Sequence, residues 1–242
     1  MNIVCVIPAR YSSTRLPGKP LADIAGKPMI QHVYERAVLA ERPRQVIVAT
    51  DHQLVYETVK NFGGQVILTS PDHLTGTDRL AEVADQLPDV DLIINVQGDE
   101  PLIPPAIIDQ LAAAFDGQQD LQMATLMTEM DETEYYSSGA VKVVTDLQGY
   151  ALYFSRSIVP FPRNDTGVPI YKHIGIYAYR RDFLLTYAKL RPTPLEMTES
   201  LEQLRALEHG YRIKVLKTNF KSIGVDTPED LEKVNRLLTN KK

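Results

Sequence analysis

The segment ARYSSTRLPGKPL, from Ala9 to Leu21, places three cations in one short stretch that also carries hydroxyl side chains and a glycine. It follows the apolar run IVCVI (3–7), which is typical of a buried strand. Open α/β sheets bind ligands at the carboxyl ends of their strands, where this segment must begin. Arginine supplies forked donors and lysine a point charge to phosphate oxygens. We therefore interpret the segment, called the cation loop below, as a phosphate-binding loop built on Arg10, Arg15 and Lys19; a solvated surface loop is the alternative.

Two familiar phosphate-binding motifs do not occur in the sequence. Lys19 and Lys27 are each followed by proline, so neither completes the pattern GxxxxGK[ST]. No GxGxxG follows the first apolar run, which disfavours a dinucleotide-binding fold of the usual kind. The cation loop would therefore hold phosphate by a different arrangement.

Two aspartates follow strand-like segments and are candidates for a metal site. Asp99 lies in LIINVQGDEP, and Asp226 lies in GVDTPED just before a predicted helix. Magnesium prefers oxygen ligands and typically takes only one or two carboxylates beside substrate phosphates. Asp99 fits this sparse requirement, and Asp226 is a second candidate carboxylate. A turn or helix-capping role is the alternative for each aspartate.

Strand-like and helical patterns alternate over the first half of the chain. The strand-like runs are 3–7, 45–50, 65–69 and 92–97, and the helical patterns are 29–40, 52–62, 77–87 and 104–115. This alternation predicts an α/β, Rossmann-like fold with a mostly parallel sheet and helices on both faces. One long helix is predicted over 194–210, and a final helix begins at Pro228 with Thr227 as its cap.

Residues from about 135 to 190 have a different pattern, in which short β-type segments are separated by Pro- and Gly-containing turns. We predict that this region is a small antiparallel elaboration that forms a lid or a dimer contact. The whole chain, 1–242, is predicted to be a single domain, because a chain of this length can bury one substantial core.

Composition argues against several classes of partner. The formal net charge of -5 offers no general attraction to nucleic acid or to anionic membranes. No apolar run is long enough to span a membrane as a helix. Cys5, the single cysteine, lies within the first apolar run, so we predict an inert core residue. We expect a soluble, cytoplasmic protein that binds neither nucleic acid nor membrane.

Several segments occur in the order in which a known family carries them. Besides the cation loop, they are VATD, TGTDRLAEV, NVQGDEPLI, AVKVV, YALYFSR, KHIGIYAYR, LEQLRALEHG and GVDTPEDLEKV. Together they resemble the 3-deoxy-manno-octulosonate cytidylyltransferases, or CMP-KDO synthetases, from Ala9 to Val234. The resemblance implies transfer of CMP from CTP to the eight-carbon acid sugar KDO, with release of pyrophosphate, for lipopolysaccharide biosynthesis. It also implies Mg²⁺ as the cofactor and a homodimer.

The resemblance further implies roles for individual side chains. The nucleotide-binding residues would be Arg10, Arg15, Lys19, Ala49, Asp51, Gly76, Arg79 and Asp99. The sugar-binding residues would be Gln97, Arg156, His173, Glu202 and Gln203. The catalytic residues would be Arg10, Arg15, Lys19, Asp99 and Asp226, and the metal ligands would be Asp99 and Asp226. If these two aspartates share Mg²⁺, their carboxylates should lie within about 8 Å of each other at the edge that faces the cation loop.

Without the resemblance, four of the sugar-site residues have ordinary structural explanations. Gln97 would satisfy backbone groups, and Arg156 would be a surface cation. His173 would be a hydrogen-bonded histidine beside a strand, and Glu202 would pair with Arg205 along a helix.

The mechanism that the resemblance implies depends on cations, since both reactants are anionic. Metal held by Asp99 and Asp226 would lower the pKa of the sugar's anomeric hydroxyl, and the cation loop would stabilise the departing pyrophosphate. No dedicated protein base is expected. Synthetases for 8-amino-KDO or sialate and sugar-1-phosphate pyrophosphorylases are alternatives within the same class, and a non-catalytic CTP-binding regulator is the alternative outside it.

Overall fold

A nine-stranded mixed sheet forms the centre of the computed structural model, which describes residues 1–13, 15–164 and 166–239. Thr14 of the cation loop lies outside the described residues. The strands are β1 Ile3–Pro8, β2 Asp23–Ile24, β3 Lys27–Pro28, β4 Gln45–Thr50, β5 Val66–Leu68, β6 Leu92–Asn95, β7 Met123–Glu129, β8 Lys142–Thr145, β9 Ala151–Ser155, β10 Tyr171–Arg180 and β11 Ile213–Lys217. All of them belong to this sheet except β2 and β3, which form a separate antiparallel pair. The helices are α1 Met29–Val38, α2 Gln53–Asn61, α3 Gly76–Asp85, α4 Pro105–Ala113, α5 Arg181–Tyr187, α6 Pro194–Glu199, α7 Gln203–Glu208 and α8 Pro228–Thr239.

Parallel pairing brings the ends of three strands to one edge of the sheet. The strand order is β11-β7-β10-β6-β1-β4-β5, in which β1 pairs in parallel with both β4 and β6. The register sets Pro8 opposite Ala49 and Val6 opposite Asn95. The segments that follow β1, β4 and β6 therefore leave the sheet side by side, as the predicted α/β fold class requires.

Apolar side chains on β1 alternate between the two faces of the sheet. Ile3, Cys5 and Ile7 belong to the core beneath α1 and α4, whereas Val4 and Val6 belong to the core beneath α3. All five are buried, which explains why a continuous apolar run marks a central strand. Cys5 is a fully buried free thiol, and this burial raises its pKa, as expected of an inert core residue.

The prediction of one long helix over 194–210 is wrong. Ser200 adopts a left-handed conformation with φ of 52° and ends α6, so α7 begins anew at Gln203. Glu199 explains part of this break, because its carboxylate accepts hydrogen bonds from the Ser155 hydroxyl at 2.7 Å and from the Arg156 backbone at 2.9 Å. The break directs the segment from Leu201 to Gln203 towards the sheet.

The β-type segments between 135 and 190 are continuous with the central sheet. The antiparallel pair β8–β9 is attached to the first residues of β10. Strand β10 pairs with β7 from Tyr171 to Tyr179, and its last residues also pair with β6. Strands β7 and β11 and helix α5 had no sequence prediction. The extent of a separate lid or dimer element within this region stays a prediction.

Gly98 allows the loop after β6 to pass directly over the end of β1. A Cβ atom built at Gly98 would lie 2.7 Å from the backbone oxygen of Pro8, which is closer than real Cβ contacts. The next residue is Asp99, so this close approach sets how near that aspartate lies to the cation loop.

We expect Gly98→Ala to lower the free energy of unfolding by about 1–3 kcal/mol, because the added methyl group overlaps backbone that has little freedom to move. Gly139→Ala is the matched control, since a Cβ there meets only the Ser137 hydroxyl at 3.6 Å. Urea unfolding of both variants measures the difference. Equal stability of the two variants would contradict the close-approach argument.

Candidate active site

Two adjoining cavities lie at the carboxyl edge of the parallel strands and share Pro8, Gly76 and Gln97. One, of about 390 Å³, is called the cation cavity; it is lined by Pro8, Ala9, Arg10, Ser12, Ser13, Arg15, Lys19, Pro20, Gly76, Gln97, Gly98, Asp99 and Asp226. The other, of about 280 Å³, is called the tyrosine cavity; it is lined by Pro8, Gly76, Thr77, Asn95, Gln97, His173, Gly175, Tyr177, Tyr179, Tyr187, Leu201, Glu202 and Gln203.

Asp99 and Asp226 converge on the ammonium group of Lys19. Lys19 Nζ lies 2.6 Å from Asp99 Oδ2 and 3.0 Å from Asp226 Oδ1. Because both oxygens contact one nitrogen, their separation cannot exceed those two distances taken together, which is 5.6 Å. The predicted proximity of the two carboxylates is therefore present, although their role as metal ligands stays a prediction.

Backbone and side-chain hydrogen bonds bring Asp226 to this edge from a distant part of the chain. Val225 N donates to the carbonyl of Asp99 at 2.9 Å. Ser222 donates its hydroxyl hydrogen to the Glu100 carboxyl group, and burial raises the pKa of Glu100 to about 7. The segment before α8 is thus tied to the loop after β6, which fixes the two aspartates relative to each other.

The charges around Lys19 compensate one another. Burial by itself would lower the pKa of Lys19, but Asp99 and Asp226 outweigh that effect and raise the pKa above its ordinary value. Arg15 NH2 also contacts Asp226 Oδ1, at 3.1 Å, while 65% of its side chain stays exposed. Arg15 therefore has the freedom to reach another anion, whereas Lys19 is enclosed.

The donor chemistry at this position fits Mg²⁺. Two carboxylates surround a cation here, so the site already accommodates positive charge between Asp99 and Asp226. Among the described residues, no group of three or more His, Cys, Asp or Glu side chains could hold a metal ion. Magnesium typically needs no such group, because substrate phosphates and water complete its coordination.

Arg10 links the cation loop to the segment before α3. Its guanidinium donates to the carbonyl of His73 at 2.7 Å and to that of Leu74 at 3.1 Å. Gly76, the first residue of α3, lines both cavities, and the Thr75 side chain accepts from Asp78 N to cap this helix. Because Gly76 lines both cavities, the capped amino end of α3 lies beside them, and the first N–H groups of a helix favour bound anions.

Three residues predicted for the nucleotide site, Ala49, Asp51 and Arg79, are not among the residues that line the two cavities. Ala49 is buried, and its carbonyl accepts a hydrogen bond from Ala9 N at 2.8 Å, which fixes the start of the cation loop. Arg79 is also buried and donates to Asp51 at 3.0 Å and to the Thr69 hydroxyl. Burial lowers the pKa of Arg79 below its ordinary value. Nucleotide contact by these residues stays a prediction.

The tyrosine cavity contains two buried acceptor atoms without a hydrogen-bond partner. They are Asn95 Oδ1 and Glu202 Oε1. Burial raises the pKa of Glu202, which a hydrogen bond from Thr77 opposes. The ordinary structural explanation for Glu202, a helix pair with Arg205, is wrong. Arg205 instead forms a two-contact ion pair with Glu196, at 2.5 and 2.9 Å. An unpaired buried polar atom is costly, so both acceptors point to a ligand with donor groups.

Four of the five predicted sugar-site residues line the tyrosine cavity. They are Gln97, His173, Glu202 and Gln203. Gln97 donates to the carbonyl of Gly175 at 3.0 Å, and the backbone oxygen of Glu202 accepts from the Tyr187 hydroxyl at 2.7 Å. The arrangement brings together residues that are far apart in the sequence.

Arg156, the fifth predicted sugar-site residue, lies outside both cavities. Its guanidinium donates to the carbonyls of Glu199 at 2.7 Å, Ser138 at 2.9 Å and Ser200 at 3.2 Å. It thereby holds the left-handed turn that separates α6 from α7. In this structure Arg156 supports the wall that carries Glu202, and direct contact with a ligand stays a prediction.

Sequence reasoning missed the five other polar residues that line the tyrosine cavity. These residues are Thr77, Asn95, Tyr177, Tyr179 and Tyr187. Asn95 is a polar residue within an otherwise apolar strand, and Tyr177 and Tyr179 are two positions apart on β10. Both patterns place polar groups on one face of a buried strand and were visible in the sequence.

Comparison with known proteins identifies the family of this chain. A family model described as "Cytidylyltransferase" matches residues 4–216. A 3-deoxy-manno-octulosonate cytidylyltransferase of Geobacter sulfurreducens is 55% identical, with 97% of this chain and 98% of the relative covered. The Geobacter metallireducens protein of the same name is 56% identical, with 97% and 96% covered. The chain belongs to the 3-deoxy-manno-octulosonate cytidylyltransferase family.

A solved structure of the same family has nearly the same backbone. It is described as CMP:2-keto-3-deoxy-manno-octonic acid synthetase complexed with CTP, and it is 47% identical with a TM-score of 0.96 over all of both chains. The "Cytidylyltransferase" model ends before Asp226, but the full-length likeness to other family members includes that residue.

We expect Glu202→Gln to raise the free energy of unfolding of the ligand-free protein by about 1 kcal/mol at pH 8, because the buried carboxylate lacks a partner for one oxygen. The folded-state pKa of Glu202 is raised, so its ionisation destabilises the fold at high pH, and the difference should disappear as the pH falls below the unfolded-state pKa.

Chemical unfolding across a pH series measures this effect. The exposed Glu57→Gln variant is the control and should show no such pH-dependent difference. A Glu202→Gln variant that is less stable than the parent protein at pH 8 would contradict the assignment of an unsatisfied carboxylate.

Proposed function

We propose that this protein transfers CMP from CTP to 3-deoxy-D-manno-octulosonate and releases pyrophosphate. The observation that carries the proposal is the convergence of Lys19, Asp99 and Asp226 beside a second cavity rich in hydrogen-bond acceptors. The names of the relatives and the CTP complex of the related synthetase support both substrates. Product formation from CTP and the sugar is the direct test.

The charge distribution supports binding of the triphosphate in the cation cavity. Arg10, Arg15 and Lys19 reach that cavity from the cation loop. Arginine offers paired donors to phosphate oxygens, and the amino end of α3 adds backbone donors near Gly76. These groups would hold the β- and γ-phosphates and stabilise the charge that develops on the departing pyrophosphate.

The lining of the tyrosine cavity supports one orientation of the sugar. Among the described residues, no lysine or arginine lines that cavity, whereas Asn95 and Glu202 present unpaired acceptors. A carboxylate would find no compensating charge there, but sugar hydroxyls would donate to both acceptors. The hydroxylated end therefore enters the tyrosine cavity, and the carboxylate and anomeric hydroxyl face the junction at Gln97.

Asp99 and Asp226 would hold Mg²⁺ at that junction. Bound there, the metal would lower the pKa of the anomeric hydroxyl and neutralise charge on the α-phosphate. The chain's own contribution is to orient the hydroxyl in line with the leaving group and to keep cations on the triphosphate. We propose no dedicated protein base for the hydroxyl proton.

Related activities remain as alternatives. Unpaired acceptors in the tyrosine cavity are compatible with a hydroxyl or an ammonium group, so 8-amino-KDO is an alternative to KDO, and sialate is a further acid sugar. A regulator that binds CTP without turnover is the alternative outside the class, and the shared carboxylate pair argues against it.

The wider setting of the enzyme is also part of the proposal. Family membership supports a role in lipopolysaccharide biosynthesis in the cytoplasm and assembly as a homodimer. Leu152 and Phe161 are exposed on the β-rich region, which supports a subunit contact there. Among the described helices, none combines the length and apolarity that crossing a membrane requires.

We expect pyrophosphate release to require CTP, an eight-carbon 3-deoxy-2-ulosonic acid and a divalent cation together. The assay combines four nucleoside triphosphates with KDO, 8-amino-KDO, sialate and glucose 1-phosphate, and repeats the best pair in excess chelator. Equal turnover with glucose 1-phosphate would contradict the sugar assignment. Undiminished turnover in chelator would contradict the metal assignment, and CTP binding without any turnover would support the regulator.

We expect Asp99→Asn to reduce kcat at least about 100-fold, which corresponds to about 2.7 kcal/mol of barrier, because the amide keeps the shape but loses the negative charge. Lys19→Ala should raise the KM for CTP as well as slow turnover. Steady-state kinetics at saturating metal measures both effects. Asp182→Asn, at a 93% exposed side chain, and the exposed Lys60→Ala are controls that should retain parental activity. A folded Asp99→Asn variant with near-parental kcat would remove Asp99 from the mechanism.

A further inference from the structure

The hydroxyl group of Thr125 occupies a position where three polar groups meet inside the sheet. Thr125 is fully buried in β7. Its Oγ1 lies 3.1 Å from His173 Nε2, 3.0 Å from the carbonyl oxygen of Ile174 and 2.8 Å from that of Ile176. The pairing of β10 with β7 is irregular between Ile174 and Tyr177, which explains why two nearby carbonyls approach one side chain.

The hydrogen atoms of this cluster can be assigned from its chemistry. Both carbonyl oxygens are acceptors only, so the single hydroxyl hydrogen of Thr125 must point to them. Oγ1 is then an acceptor towards His173 Nε2, and that nitrogen must carry a hydrogen. The opposite assignment would leave two buried carbonyls facing an oxygen without any hydrogen between them, which is costly.

The surroundings of His173 keep its ring neutral. Burial lowers the pKa of His173 to about 3. Phe154 contacts the ring edge-on at a centroid distance of 5.0 Å, and Tyr177 lies at 5.4 Å. A neutral imidazole has one donor nitrogen and one acceptor nitrogen. With the hydrogen on Nε2, the acceptor is Nδ1.

We propose that Thr125 is a positioning residue that fixes His173 as the Nε2–H tautomer, so that Nδ1 accepts a hydrogen bond from a hydroxyl of the acid sugar in the tyrosine cavity. This inference rests on the proposed function for the identity of the sugar. It makes His173 a third acceptor beside Asn95 and Glu202 and assigns it to hydroxyl recognition rather than to binding of the sugar carboxylate.

The tautomer can be measured without any substrate. In protein labelled with ¹⁵N-histidine, the two ring nitrogens give separate signals according to which one carries the hydrogen, and loss of a signal in His173→Asn identifies His173. We expect the Nε2–H form alone in the parent protein and in Thr125→Ser. In Thr125→Val the hydroxyl acceptor is gone, so both tautomers should appear.

Kinetics distinguishes positioning from general damage to the fold. We expect Thr125→Val to raise the KM for the acid sugar roughly tenfold, with the KM for CTP unchanged, because one sugar hydrogen bond is weakened. Thr125→Ser should restore the KM for the sugar to within about threefold, since it keeps the hydroxyl. Thr128→Val makes the same change at another buried threonine of β7. It should leave the KM for the sugar and the KM for CTP as in the parent protein.

The tautomer of His173 in the parent protein and in the variants tests the role of Thr125 directly. An Nδ1–H tautomer or a charged His173 ring in the parent protein overturns it, and so does an unchanged tautomer in folded Thr125→Val. If Thr125→Val does not fold, the parent spectrum and the kinetics of Thr125→Ser still decide. Failure of the proposed function is visible separately, as absence of turnover in the substrate panel with the tautomer as expected.

Discussion

The contact of one ammonium group with two carboxylates is the interaction on which the site depends. Lys19 comes from the cation loop, Asp99 from the loop after β6 and Asp226 from the segment before α8. Removing Lys19 would leave the partly buried Asp99 carboxylate without its ammonium partner, which costs more than a surface ion pair contributes. The same three charges join three chain segments at the edge of the sheet. Their mutual compensation therefore also holds these segments together.

The two cavities present different polar groups, and each set suits a different part of the two anionic substrates. The cation cavity has positive side chains and a helix amino end, whereas the tyrosine cavity has neutral or acceptor groups. A phosphate group is stabilised in the first and a hydroxyl group in the second. Gln97 and Gly76 lie in both walls, so a bond formed between the two substrates would form at that boundary.

The break between α6 and α7 connects the fold with this division. Ser200 ends α6 in a left-handed conformation, and the residues after it reach the tyrosine cavity. Without this break, the chain would continue in the direction of α6, and Glu202 would not turn towards the cavity. Arg156 holds the turn through three backbone oxygens, so it is tied to the sugar wall even though it lies outside the cavity.

Local sequence patterns determined the alternation of strands and helices, the burial of Cys5 and the position of the cation loop at a strand end, because each depends on neighbouring residues. The convergence of Asp99 and Asp226 was predicted from the family resemblance, because no local pattern links residues so far apart in the chain. Local patterns failed at β7 and β11, whose place in the sheet depends on distant pairing, and at Ser200, whose conformation depends on Glu199 reaching β9.

Only the tertiary structure decided which side chains reach the cavities. Arg79 and Arg156 are both arginines in family motifs, yet one is buried against Asp51 and the other holds a turn. The hydrogen of His173 is set by Thr125, 48 residues earlier in the chain. The sequence specifies which residues are polar, but side-chain direction, burial and hydrogen-bond partner follow from packing between segments that are far apart in the chain.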